Sequence, residues 1–82
     1  MFGRDAYTTV PEKAAALLES LVRNPSLVDG NTRLGWLSIV VFFGLNGHTL
    51  EAPDDEAYDL VVGMASGDTS VSEAAARLAV WI

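Results

Sequence analysis

The chain contains no cysteine, which excludes disulfides and thiolate-bound metals and leaves the redox compartment open. Basic residues are few, five against eleven acidic ones for a net charge of −6, and they nowhere cluster. A nucleic-acid backbone needs a basic face to meet it, so that class of partner is excluded. The single histidine, His48, has no second ligand at a suitable spacing, and no structural metal is expected. Long hydrophobic runs are also missing. The longest, Leu34 to Leu45, is about twelve residues, where a bilayer needs roughly twenty. The opening Met1-Phe2-Gly3-Arg4-Asp5 lacks the apolar region of a signal peptide. Together these absences predict a soluble, cytoplasmic protein without a membrane partner.

What is present is apolar. Half of the 82 residues are hydrophobic, although a chain of this size buries only roughly 60% of the surface its unfolded form exposes. That excess points to a surface for a partner or for self-association, and a homo-oligomer is expected. No repeat, linker or low-complexity tract divides the chain, so residues 1–82 read as a single domain.

The periodicity is helical throughout. Residues Met1 to Thr8 show none and read as an extended arm. Thr9-Val10-Pro11-Glu12 is a capping box with proline in the first turn, where its missing N–H costs nothing. Ala14, Leu17, Leu18 and Leu21 then form one stripe, with Lys13, Glu19 and Arg23 turned away. Pro25 stops this helix by disfavouring the α conformation at Asn24. Ser26 to Asn31 is a loop rich in turn chemistry, and Asn31 is placed to cap a helix from Thr32 to about Leu45. That helix is apolar nearly all round, which predicts a central, surrounded element. Gly35, Ser38 and Gly44 are small enough for neighbours to come close, and Trp36, Phe42 and Phe43 read as core. Ile39 to Phe42 would also suit a buried strand, but the length and the cap favour helix.

Asn46-Gly47 ends that helix with residues that accept left-handed geometry. After a connector, His48 to Ala52, Pro53 opens a third helix whose Asp54-Asp55-Glu56 suits the positive end of the helix dipole. Its apolar face is Ala57, Leu60, Val61, Met64 and Ala65, and Gly67 closes it. Ser70-Val71-Ser72-Glu73 is a second capping box, and the last helix buries Val71, Ala74, Ala75, Leu78 and Ile82. Trp81 suits either the core or an interface, and Tyr7 and Tyr58 read as partly buried. The fold class is all-α, about four helices around a buried central one.

The chemistry gathers where the central helix begins. Asp29-Gly30-Asn31 leads into a helix N-terminus whose N–H groups have no intrahelical partner. Glycine permits the backbone of an anion-binding nest. The dipole attracts phosphate, and Arg33, one residue past Thr32 in the first turn, supplies a planar bidentate donor. Asp29 suits a metal ion accompanying the anion. The plainer reading of the same residues is a well-capped helix start with a solvated arginine.

This stretch resembles the signature of the Fic/Doc family, in particular its death-on-curing (Doc) branch. The family motif is His-x-Phe-x-(Asp/Glu)-(Gly/Ala)-Asn-(Gly/Lys)-Arg, and Asp29, Gly30, Asn31 and Arg33 match it without gaps. The resemblance continues through Asp5 to Ala15, through Leu45-Asn46-Gly47-His48-Thr49-Leu50, and into Val62 to Ser72. It implies an ATP-using transferase that works with Mg-ATP, with Asp29 and Arg33 as catalytic residues. Gly30, Asn31, Thr32 and Arg33 would hold nucleotide phosphates, and Asp29 a magnesium ion. It further implies a toxin of a toxin–antitoxin system that phosphorylates a hydroxyl of elongation factor Tu and receives an antitoxin helix in a groove.

The match also has departures. Pro25 stands where the family has its histidine general base, and a pyrrolidine ring accepts no proton. His48 does not replace it, since the helix between it and Arg33 amounts to about 22 Å. Thr32 stands where the Doc branch has lysine. Trp36 stands three residues past Arg33, where the adenylylating form of the motif has a second arginine. Family members carry further helical sequence before the matched part, so apolar surface of the central helix is expected to be open here, with a dimer or exchanged arrangement covering it. Two function classes follow. One is a Doc-like phosphotransferase with impaired chemistry. The other is a non-catalytic nucleotide-, anion- or partner-binding helical module that self-associates.

Overall fold

A computed structural model describes residues 8–23 and 31–82, with Asn31 described in its backbone alone. The expected arm before Thr8, Tyr7, the helix stop at Pro25 and the turn through Asp29 and Gly30 lie outside the described residues. The order is α1 (Val10–Val22), α2 (Asn31–Leu45), α3 (Asp54–Ser66) and α4 (Val71–Val80). No strand occurs among the described residues, so the fold is all-α with four helices, and Ile39 to Phe42 is helical.

Local chemistry sets the helix ends. Thr9 caps α1 in a full capping box: its hydroxyl accepts from the Glu12 N–H, and the Glu12 carboxylate accepts from the Thr9 and Thr8 N–H groups at 3.1 and 3.0 Å. Hydrogen bonds from the Thr9 and then the Thr8 backbone hold that carboxyl below its usual range. Ser70 and Glu73 repeat the arrangement at α4. Gly47 and Gly67 turn the chain past α2 and α3 with φ of +81° and +88°, a region that side chains rarely enter. The His48 N–H then reaches back to the Phe43 carbonyl at 2.9 Å, closing the end of α2. Asn31 is the first helical residue of α2, one position later in the helix than the cap expected for it.

The core is built from Ala14, Ala15, Leu18 and Val22 of α1, Ile39 and Phe43 of α2, Leu60, Val61 and Met64 of α3, and Ala74, Ala75 and Leu78 of α4. In α1 this set is shifted from the expected stripe. Leu17 and Leu21 are only half-buried, while Ala15 and Val22 are buried. The reason is that α1 is covered from two sides, by α2 and by α4, which widens its buried face. Ala65 and Ile82, expected inside, are exposed.

The largest correction concerns α2. It supplies two of the largest fully buried side chains, Phe43 and Ile39, but it is not surrounded. It packs on α1 and α3, while Leu34, Leu37, Val41 and Leu45 are exposed. Four short helices cannot enclose one of their own number on every side. The open side agrees with the other expectation for this helix, that some of its apolar surface is left uncovered.

Of the three small residues in α2, Gly35 is the one that lets a neighbour close in. A Cβ built there would lie 2.7 Å from Val22 Cγ1 and 2.9 Å from Leu18 Cδ1, whereas at Gly44 it would meet nothing within 4 Å. Gly35→Val is therefore expected to push α1 and α2 apart and to destabilise the fold by about 1–3 kcal/mol. A lower urea midpoint at unchanged slope checks it. An unchanged midpoint would show that α1 has room to move.

Candidate functional site

The connector after α2 decides which ends of the helices meet. Glu51 donates its N–H to the Trp81 carbonyl at 3.0 Å, and the Trp81 ring meets Trp36 edge-on with centroids 6.2 Å apart. The chain has therefore run back alongside α2 before α3 begins. As a result the first turns of α2 and α3 share one end of the molecule.

A cleft of about 580 Å³ opens between them. From α2 it is lined by Thr32, Arg33, Trp36 and Leu37, and from α3 by Asp54, Ala57, Tyr58 and Val61. Arg33 is exposed and Thr32 half-buried. The arginine is thus presented at a helix start, where N–H groups of the first turn lack intrahelical acceptors. Its own first turn contains no acidic residue. Trp36 and Leu37 form the floor on the same side of α2 as Arg33, as i,i+3 and i,i+4 spacing requires.

Of the site residues expected from sequence, Thr32 and Arg33 fall together in this cleft. Pro25, Asp29 and Gly30, and the side chain of Asn31, lie outside the described residues. His48 sits beyond the opposite end of α2, its ring edge-on to Phe43 at 6.2 Å, in keeping with its reading as a helix-end residue. Among the described residues no cluster of three or more His, Cys, Asp or Glu is placed to hold a metal ion, and no helix is long and apolar enough to cross a membrane.

Sequence reasoning missed three cleft residues. In the sequence Asp54 reads as matching the α3 dipole, and in the structure it also lines Arg33's cleft. Tyr58 was expected to be partly buried and is exposed. Trp36 was placed in the core and is half-buried, packing against the core while lining the cleft. The i,i+4 step from Asp54 to Tyr58 marked a common face. Nothing in the sequence said which helix that face would meet.

A curated protein from Mycolicibacterium smegmatis, named Toxin Doc, is 44% identical to this chain over 81 residues. The match covers 96% of this chain, so it takes in the stretch from Pro25 to Arg33 together with α1, α3 and α4 on either side. It covers 62% of the relative, so the chain spans less than two thirds of that protein's length. No family model matches the chain, and no solved structure does. The aligned region extends through both flanks of the motif, as a shared fold requires and a chance motif does not. On this ground the chain is a homologue of a Doc toxin along nearly its whole length, which supports its membership of the Doc toxin family.

Proposed function

We propose that this protein is the toxin of a toxin–antitoxin pair, and that its site holds a nucleotide better than it transfers a phosphoryl group. The family activity would be ATP-dependent phosphorylation of a hydroxyl on elongation factor Tu, with an antitoxin helix as regulatory partner. One observation carries the reading: Arg33 is exposed at the start of α2, at the rim of an open cleft large enough for part of a nucleotide. A guanidinium at a helix N-terminus offers a phosphate two parallel hydrogen bonds along with the dipole's attraction.

Asp54 on the far wall opposes a bare anion. It suits one that arrives with a divalent cation, as Mg-ATP does. The described residues do not supply a metal site, so the magnesium would come with the nucleotide and meet Asp29. Gly30, Asn31 and Thr32 would complete the phosphate cradle. Transfer itself lacks its proton acceptor, because Pro25 holds the place of the general base. Trp36, in place of a second arginine, favours phosphoryl over adenylyl transfer.

Equilibrium binding of Mg-ATP tests this reading. The unaltered chain is expected to bind, and Arg33→Ala to weaken binding about 10- to 100-fold, the worth of one charged hydrogen-bonding group. Absence of binding in both proteins would remove the site assignment. Efficient labelling of elongation factor Tu by the unaltered chain would remove the claim of impairment.

The open apolar side of α2 favours a second reading: a non-catalytic helical module that binds an anion or a partner and self-associates as a homodimer. The two differ in whether any phosphoryl transfer occurs, and both retain Arg33 as a ligand-binding residue.

A further inference from the structure

Helix α2 carries two apolar faces. Gly35, Ile39 and Phe43, four residues apart, turn to the core. Leu34, Leu37, Val41 and Leu45 lie on the opposite side and are 45, 53, 60 and 81% exposed. Their spacing of three and four residues is that of a coiled-coil seam, whose side chains insert between those of a facing helix. Gly44 lies on the same side, with open space where a side chain would be, which lets another backbone approach closely. A helix is the shape this face accepts.

We infer that the occupant is α2 of a second copy, packed antiparallel about a two-fold axis. The inference extends the self-association reading above and does not depend on phosphoryl transfer. A two-fold interface needs one patch complementary to itself, and this seam is. Leu34 would lie against Leu45 of the other copy and Leu37 against Val41, with the axis near the level of Ile39. The electrostatics point the same way. Within α2 no acidic residue sits in the first turn and no basic residue in the last, so the helix does not compensate its own dipole. Antiparallel packing sets the positive end of each α2 beside the negative end of the other.

The area is also sufficient. Tyr58 is 62% exposed and lines the same cleft as Leu37, and Val62, one turn on, is exposed too. They extend the patch from α2 onto α3. Together the face offers on the order of 600 Å² of apolar surface, the upper end of what a monomer usually exposes. It is also about half of the roughly 1,200 Å² total that the smaller specific interfaces bury.

Sedimentation equilibrium of the full chain over a range of concentrations tests the inference. The unaltered chain is expected to form dimers. Leu37→Glu and Val41→Glu are exposed changes that leave the circular dichroism of the fold in place. Each is expected to raise the dimer dissociation constant roughly 100-fold or more. Because the chain lacks cysteine, single cysteines report the orientation. A short bis-maleimide is expected to join two copies of Val41→Cys, near the axis, but not of Leu45→Cys, whose sites fall at opposite ends. A strictly monomeric chain would overturn both this inference and self-association. A dimer that survives Leu37→Glu would overturn the seam alone, and efficient joining at Leu45→Cys would overturn the antiparallel arrangement.

Discussion

Pro25→His is expected to raise the rate of γ-phosphoryl transfer from Mg-ATP to elongation factor Tu by about 10²–10⁴-fold, the usual contribution of one positioned general base. The acceptor hydroxyl must lose its proton as it attacks phosphorus, and proline has no lone pair to receive it. The ungapped register from Pro25 to Arg33 puts an imidazole at that position back into the family's motif. Its ordinary pKa lies close to neutrality, where a base is most effective. Initial rates with labelled ATP, with and without Arg33→Ala, check the assignment. The gain is expected to disappear when Arg33 is removed, because a base alone does not hold the nucleotide. An unchanged rate in Pro25→His, with Mg-ATP still bound, would favour the binding-module reading.

Phe43→Ala is expected to cost about 3–5 kcal/mol, the range for emptying a fully buried aromatic site. Phe43 is 0% exposed and is among the largest fully buried side chains. Its ring meets Phe42 edge-on at 6.2 Å, and its carbonyl accepts the N–H groups of Asn46 and His48 that end α2. The same residue thus fills the core and anchors the helix end. Small domains have only about 5–15 kcal/mol of total stability, so this variant should be partly unfolded at room temperature. Val80→Ala, on the open side of α4, serves as the contrast and should change stability by no more than about 0.5 kcal/mol. Urea unfolding monitored by circular dichroism separates the two. Similar midpoints for both variants would mean that Phe43 is not the keystone of the core.

These expectations rest unequally on sequence and structure. The two capping boxes were fully legible, since Thr9 with Glu12 and Ser70 with Glu73 are local contacts closed within one turn. Gly47 and Gly67 were legible for the same reason: a left-handed residue at a helix end has a short list of candidates. The motif residues Asp29, Gly30, Asn31 and Arg33 were legible too, as they lie close together along the chain. Pro25, at the position of the motif's histidine, was readable in the same way.

Apart from the cap expected at Asn31, the errors came from contacts between helices. Apolarity all round α2 could not distinguish a surrounded helix from one with an open second face, because hydropathy records what a side chain prefers and not what covers it. Ala65 and Ile82 kept the right spacing for burial and are still exposed. Asp54 and Tyr58 had no sequence signal tying them to Arg33, since they reach the same cleft only because the connector doubles back and sets α2 and α3 starting side by side. By itself, then, the sequence determined the four helices and the two capping boxes. Only the tertiary structure decided which apolar face lies inside, which stands open, and what surrounds Arg33, because burial and proximity belong to pairs of helices and no single segment encodes them.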